Sequence, residues 1–185
     1  MSRFWLLRLA LCVGLASLAF TAGPTLVGGG EAAAQAVGPN RSGLPIPRFV
    51  TLKSGRVNLR IGPGRNYPVE WMYLKAGLPV EVIQEFDNWR RVRDSEGAEG
   101  WINQSLLSGR RSGIAAPWFR GKDTTIPMRA EPAETSRLVA SIEPGAMGEI
   151  QGCNGSWCQM RFDRYRGWVP QALIWGVYPD ENVEG

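Results

Sequence analysis

The sequence predicts an all-β protein made of two small β-barrels in tandem, joined by a packed linker. Two observations carry this. Gly 23 and Pro 13 punctuate a 185-residue chain of short Val-, Ile- and Trp-containing runs, the pattern of many strands and tight turns. One ordered set of landmarks then occurs twice. Arg60 and Pro63 recur as Arg129 and Pro132, 69 residues on. Gly77 and Trp89 recur as Gly145 and Trp157 at a spacing of 68, and Gly100-Trp101 and Leu106 as Gly167-Trp168 and Leu173 at 67. Two small loop deletions account for the drift, so the chain contains an internal duplication with units of about 60 residues.

The N-terminus has the order of an export signal. Arg3 and Arg8 precede an apolar run from Leu9 to Phe20, and small residues follow in EAAAQAV. Residues 1–36 are read as a signal peptide, with cleavage after Ala34 or Ala36 and a periplasmic or secreted product. The alternative is an uncleaved anchor, but the apolar run falls short of the roughly 20 residues that span a bilayer. Leu11 before Cys12 is a poor lipidation context. Residues 37–49 form an extended leader.

Within each unit the elements follow in order. A short strand carries Val57 and Leu59, or Ile126 and Met128. A long loop passes through Pro63 or Pro132 to strands at 70–74 and 137–142. Turns at Ala76-Gly77 and Pro144-Gly145 lead into strands at 79–86 and 146–152. Strands at 89–94 and 157–163 come next, then 99–103 and 166–170, and a tight turn into Leu106 or Leu173. So many short strands in so few residues suggest a small, partly open barrel. The units are placed at 50–108 and 124–176. Residues 109–123 hold Ile114, Trp118 and Phe119, unlike a polar flexible linker, and are expected to pack. Residues 177–185 are read as a tail in which Tyr178 is placed to dock before an acidic, frayed end.

Export leaves Cys153 and Cys158, flanking Asn154-Gly155 in EIQGCNGSWCQMRF. This reads as a hairpin with facing cysteines, and a structural disulfide is expected. A redox or metal pair is the alternative. The spacing matches no common redox motif, and two thiolates make a poor metal site.

Composition narrows the chemistry. With His 0, no Ser-His-Asp triad, Cys-His pair or histidine-bound zinc can form. Paired-carboxylate hydrolysis survives that count, but the acids fall on strand surfaces and turns and nothing pairs two of them. No cofactor or metal is implied. The net charge of +4 is scattered, so nucleic acid is not expected, and a weak attraction to anionic wall polymers or lipid headgroups stays open.

VNLRIGPG, residues 57–64, invites a phosphate-loop reading, but no helix follows it to present amides to an anion. Gly62 and Gly64 are expected to serve backbone conformation and Pro63 to stiffen the turn. The candidate groove lies beside this loop, on Asn58, Arg60, Tyr67, Trp71 and Trp89. Its counterpart in the second unit is Arg129, Trp157 and Trp168, with no matching tyrosine. Alternation from Val92 and Met160 puts Trp89 and Trp157 on the outer face, unless a bulge resets the register. The favoured alternative for each tryptophan is packing, and for Arg60 and Arg129 a tie to carbonyls of their own loops.

VNLRIGPG, AGLPVEVI, NWRRVR and EGWINQSLL, echoed by IPMRAEP, PGAMGEI, GSWCQMRF and RGWVPQALI, resemble the bacterial SH3 domain family over residues 50–108 and 120–176. The second unit departs from the pattern, with Met128 for Leu and Glu131-Pro132 for the Gly-Pro-Gly. SWC with its upstream cysteine is similar to exported members that tie this hairpin with a disulfide. The resemblance implies small exported barrels that often bind peptidoglycan or cell-wall peptides, often without catalysis. The leading expectation is therefore a non-catalytic binding module for wall peptides or an envelope protein. The alternatives are an envelope scaffold working through the tandem's surfaces, or a carboxylate-dependent wall hydrolase. The sequence does not fix an oligomeric state.

Overall fold

Apolar residues alternate with polar ones along most strands, so each sheet curls to put one face inside. The computed structural model describes residues 42–184, and the predicted signal segment lies outside them. Copy one consists of β1 (Arg48–Leu52), β2 (Val57–Arg60), β3 (Val69–Tyr73), β4 (Pro79–Phe86), β5 (Trp89–Arg93), β6 (Glu99–Asn103) and β7 (Leu107–Ser108). Copy two consists of β8 (Ser112–Ala115), β9 (Ile126–Arg129), β10 (Leu138–Ile142), β11 (Met147–Asn154), β12 (Trp157–Phe162), β13 (Tyr165–Pro170) and β14 (Ile174–Trp175), and β15 (Asn182–Val183) pairs with β11.

The two sheets have the same strand order, β3-β2-β6-β5-β4-β1-β7 and β10-β9-β13-β12-β11-β8-β14. Val57, Leu59, Val80, Val82, Val92 and Ile102 fill the first core, and Ile126, Met128, Ile150, Met160 and Val169 the second. Gly77 and Gly145 both turn at positive φ, +80° and +88°, where a Cβ is strained.

The segment 109–123 differs from a linker. Its Ser112–Ala115 is β8, the counterpart of β1. Leu52 donates to Leu78 O and accepts from Gly77 N, and Ala115 does the same with Ala146 O and Gly145 N. The small residues Gly113, Ala115 and Ala116 hid this strand, because they lack the β-branched and aromatic signal. A side chain on Gly113 would meet Ile174 at 2.5 Å, so the strand needs its smallness there. β1 likewise begins at Arg48, inside the expected leader.

Only residues 109–111 separate β7 from β8, and the copies dock. Phe49 meets Trp175 edge-on at 5.2 Å and Tyr178 at 4.8 Å. Tyr178 Oη donates to the buried Glu81 at 2.8 Å, and Glu81 also accepts two bonds from Arg93. Ser112 Oγ donates to Gly77 O at 2.6 Å. The acidic end does not fray within residue 184. Glu181 pairs with Arg111, Gln171 holds the carbonyls of Tyr178 and Glu181, and Val183 faces Cys153 in the sheet.

Candidate functional site

The long loop of copy one is built around Tyr67. Its ring lies against Gly62 and Gly64: a Cβ on Gly62 would sit 2.3 Å from Tyr67 Cδ1. Neither glycine has positive φ, so they supply room for the ring rather than backbone freedom. Copy two has lost both glycines and the tyrosine together. There Ser136 Oγ accepts from Glu131 N instead. Arg60 Nη1 donates to Tyr67 O at 2.6 Å and Arg129 Nη1 to Ser136 O at 2.7 Å. Both arginines tie down their own loops.

The predicted groove residues do not converge. Trp89 stands opposite Asn103, and Trp101 stands between Arg60 and Arg91, all on the outer face. Copy two repeats the row, with Trp168 between Arg129 and Gln159 and Trp157 opposite Pro170. Asn58 faces outward with its partner Met72. These four tryptophans are half-buried on the outer face. Trp71 is elsewhere. Trp71 lies opposite the core residue Leu59, in the unbroken register that sets Tyr73 opposite Val57, and so stands on the other side of the sheet from Trp89; the bulge at Glu70 comes only beyond it. Among the described residues no strand pairs with the outer edge of β3, and Trp71 is 59 % exposed.

Trp71 instead lines a groove of about 400 Å³ at the junction of the copies. β3 supplies the Trp71 side chain. Met72, whose side chain stands with Asn58 on the outer face, forms only the rim with Leu74, and Leu78 extends the apolar wall. The turn at residues 94–98 forms the far side, and Ile114 and Arg120 close it from copy two. The turn is fixed by Asp94, which accepts from the amides of Glu96 and Ala98 and from Tyr73 Oη at 2.9 Å. Burial, and then the Asp94 charge, push the Tyr73 phenol well above its ordinary range, so it stays a donor. Arg120 Nη1 meets Glu96 at 2.5 Å across the junction.

Copy two has a counterpart groove, with Phe162 and Tyr165 among its lining residues, but smaller residues stand on the wall that Trp71 occupies in copy one. Ala140 and Ser141 stand in the register positions of Trp71 and Met72, with Glu143 and Ala146 where copy one has Leu74 and Leu78. The tryptophan-bearing edge and its closure by Ile114 and Arg120 are therefore particular to copy one and to the junction. Sequence reasoning found Trp71 but missed Met72, Leu74, Leu78, Ile114 and Arg120. The usable signal was the unbroken run Trp71-Met72-Tyr73-Leu74 on an edge strand, of which only Tyr73 is buried. Among the described residues, no cluster of three or more acidic or cysteine side chains is placed to hold a metal ion.

Two tandem barrels of one topology, each with a groove beside its edge strand, define a class of small tandem β-barrel domains. The chain matches the bacterial SH3 domain family over residues 53–109 and 122–176, more than half its length, and it belongs to that family. Among curated proteins none matches it. Similar solved structures include NlpC2 from Trichomonas vaginalis, 12% identical with a TM-score of 0.31, covering 70% of this chain and 48% of that one. NlpC1 from the same organism is 14% identical with a TM-score of 0.30, covering 71% and 46%. An NlpC/P60 family protein from Bacillus cereus is 11% identical with a TM-score of 0.31, covering 69% and 56%. The chain thus spans about half the length of these proteins, and at this similarity the likeness carries no functional inference.

Proposed function

We propose that the chain is an exported binding module that holds a peptide of the cell wall, or a peptide segment of an envelope protein, in the junctional groove of copy one. One observation carries the reading. Trp71, Met72 and Leu74 stay exposed along an unpaired strand edge, beside a fixed turn, in a fold family of binding domains. An edge strand offers backbone hydrogen bonds to an extended chain, and adjacent apolar pockets choose its side chains. The docking of the copies supports the reading, because β14 pairs with Ile114 and Glu96 holds Arg120, which together form the closing wall. The N-terminal segment, with its basic start and apolar run, supports export.

The test is co-sedimentation of purified protein with isolated sacculi, alongside Trp71→Ala. Trp71 is mostly exposed, so the variant keeps its fold, and it should lower retention about tenfold. Retention unchanged by Trp71→Ala would defeat the groove assignment. No retention on sacculi, with capture of an envelope peptide that Trp71→Ala abolishes, would select the protein-peptide ligand over the wall peptide.

A further inference from the structure

Each copy has a corner where the hairpin of its two long strands meets the 3₁₀ turn after its sixth strand. The backbone there is the same. Gln104 N donates to Asn88 O at 2.8 Å, and Gln171 N to Ser156 O at 2.9 Å. The two glutamine side chains differ. Gln104 is satisfied at both ends: Nε2 donates to Asn88 Oδ1 and Oε1 accepts from Arg90 Nη2 at 2.5 Å. Gln171 is buried, its Nε2 donates to the carbonyls of Tyr178 and Glu181, and its Oε1 has no partner. Two carbonyl acceptors on one end of the amide fix the other end as the oxygen.

The register explains the orphan. Glu85 pairs with Arg90 in copy one where Cys153 pairs with Cys158 in copy two. Replacing an ion pair by a disulfide removed the guanidinium that served this glutamine. A buried acceptor without a partner costs about 1–3 kcal/mol, so its persistence calls for an account.

Copy two also adds chain over this corner. Residues 117–125 stand between its first two strands where copy one has 54–56. The added 3₁₀ turn, Pro117–Phe119, is anchored by Phe119 against the core and follows Ala116 at φ +28°, a strained conformation for a residue with a side chain. Between its anchors the turn presents Trp118, 47 % exposed. Trp118, Ala172, Val177, Pro179, Asp180 and Gln171 line a groove of about 460 Å³. Asp180 has no ion-pair partner among the described residues.

From this set we infer that the corner groove of copy two binds an N-acetylated hexosamine unit of a glycan. An indole face is a flat apolar platform for the C–H face of a pyranose. Ala172, Val177 and Pro179 suit the acetyl methyl group. The acetamido N–H is the donor that Gln171 Oε1 lacks, and Asp180 can accept from a ring hydroxyl. Seating that N–H requires a side-chain adjustment at the groove floor, which shields the oxygen in the free protein. A proline-rich peptide would also stack on Trp118, but its prolines bring no N–H. This site is separate from the groove of copy one and does not rest on the peptide reading.

The experiment titrates isotope-labelled protein with N,N′-diacetylchitobiose and, in parallel, with cellobiose, following the indole N–H resonances. Trp118 is assigned with Trp118→Phe. The Trp118 resonance should shift saturably with the acetylated sugar, and cellobiose should bind about tenfold more weakly or worse. Trp118→Ala should weaken binding about tenfold, and Trp118→Phe, which keeps an aromatic face, should bind within about threefold of the unsubstituted protein. The inference is overturned by no saturable shift, by equal binding of cellobiose, or by affinity unchanged in Trp118→Ala. Should Trp118→Ala not fold, the comparison of the two sugars on the unsubstituted protein still decides.

Discussion

The same cross-strand position holds copy one with a charge and copy two with a covalent bond, and this equivalence can be tested by exchange. Glu85 and Arg90 have side chains 2 % and 5 % exposed. Glu85 accepts from Arg48 Nη2 at 2.6 Å, from Ser42 Oγ at 2.6 Å and from Ser42 N at 3.1 Å, and stands 3.1 Å from Arg90 Nε. Burial alone would raise its carboxyl, but the bonds from Ser42 and Arg48 and the charge of Arg90 outweigh it, and the net effect is a lowered pKa. Glu85→Ala leaves two guanidiniums without a counter-charge, and breaking a buried pair from one side costs about 3–5 kcal/mol. The exchange Glu85→Cys with Arg90→Cys puts thiols where Cys153 and Cys158 bond in copy two. Closing a loop of that span contributes about 2 kcal/mol. Urea denaturation should therefore rank the unsubstituted protein first, the oxidised double-cysteine variant next and Glu85→Ala last. The linkage also has a sign. A carboxylate with a lowered folded pKa stabilises the protein above its unfolded pKa of about 4.3, and that stability is lost as pH falls through the folded value. The double-cysteine variant should lose less stability on acidification. A cost below about 1 kcal/mol for Glu85→Ala, or an oxidised double-cysteine variant no more stable than it, would refute the equivalence.

Other outcomes follow from particular contacts. Gly62→Ala should displace the Tyr67 ring and cost about 1 kcal/mol, and Tyr67→Ser in the same chain should recover most of it, as the paired losses in copy two imply. A full cost retained in the double variant would point back to backbone strain. Tyr178→Phe keeps the ring on Phe49 but removes the donor to buried Glu81, and the urea midpoint should fall by the equivalent of about 1.5 kcal/mol. An unchanged midpoint would mean that this bond does not hold the copies together.

Much of the fold was legible because alternation and turns are local. The strands Pro79–Phe86 and Glu99–Asn103 stand where the pattern put them, and Cys153 and Cys158 are bonded across their hairpin. The outward setting of Trp89 and Trp157 followed from counting along one strand. What was illegible depends on partners far away in the chain. β8 is a strand because Ala115 repeats the bonds of Leu52, not because its residues favour strands. Gly62 reads as conformational until Tyr67 is seen folded over it. Trp71 left the predicted groove because its pairing with Leu59 puts it on the core side of β3, and Ile114 and Arg120, which line the groove with it, come from the other copy. The tail looked frayed because charge suggests solvent, while Glu181 answers Arg111 across 70 residues.

If a peptide binds in the junctional groove of copy one, its contacts fall on a few named residues. The most direct measurement is chemical-shift mapping of isotope-labelled protein with soluble wall peptides released from sacculi. Saturable shifts should be confined to β3, the turn at residues 94–98, Ile114 and Arg120. Shifts that cluster instead on the outer face around Trp89 and Trp101, with β3 unmoved, would contradict it.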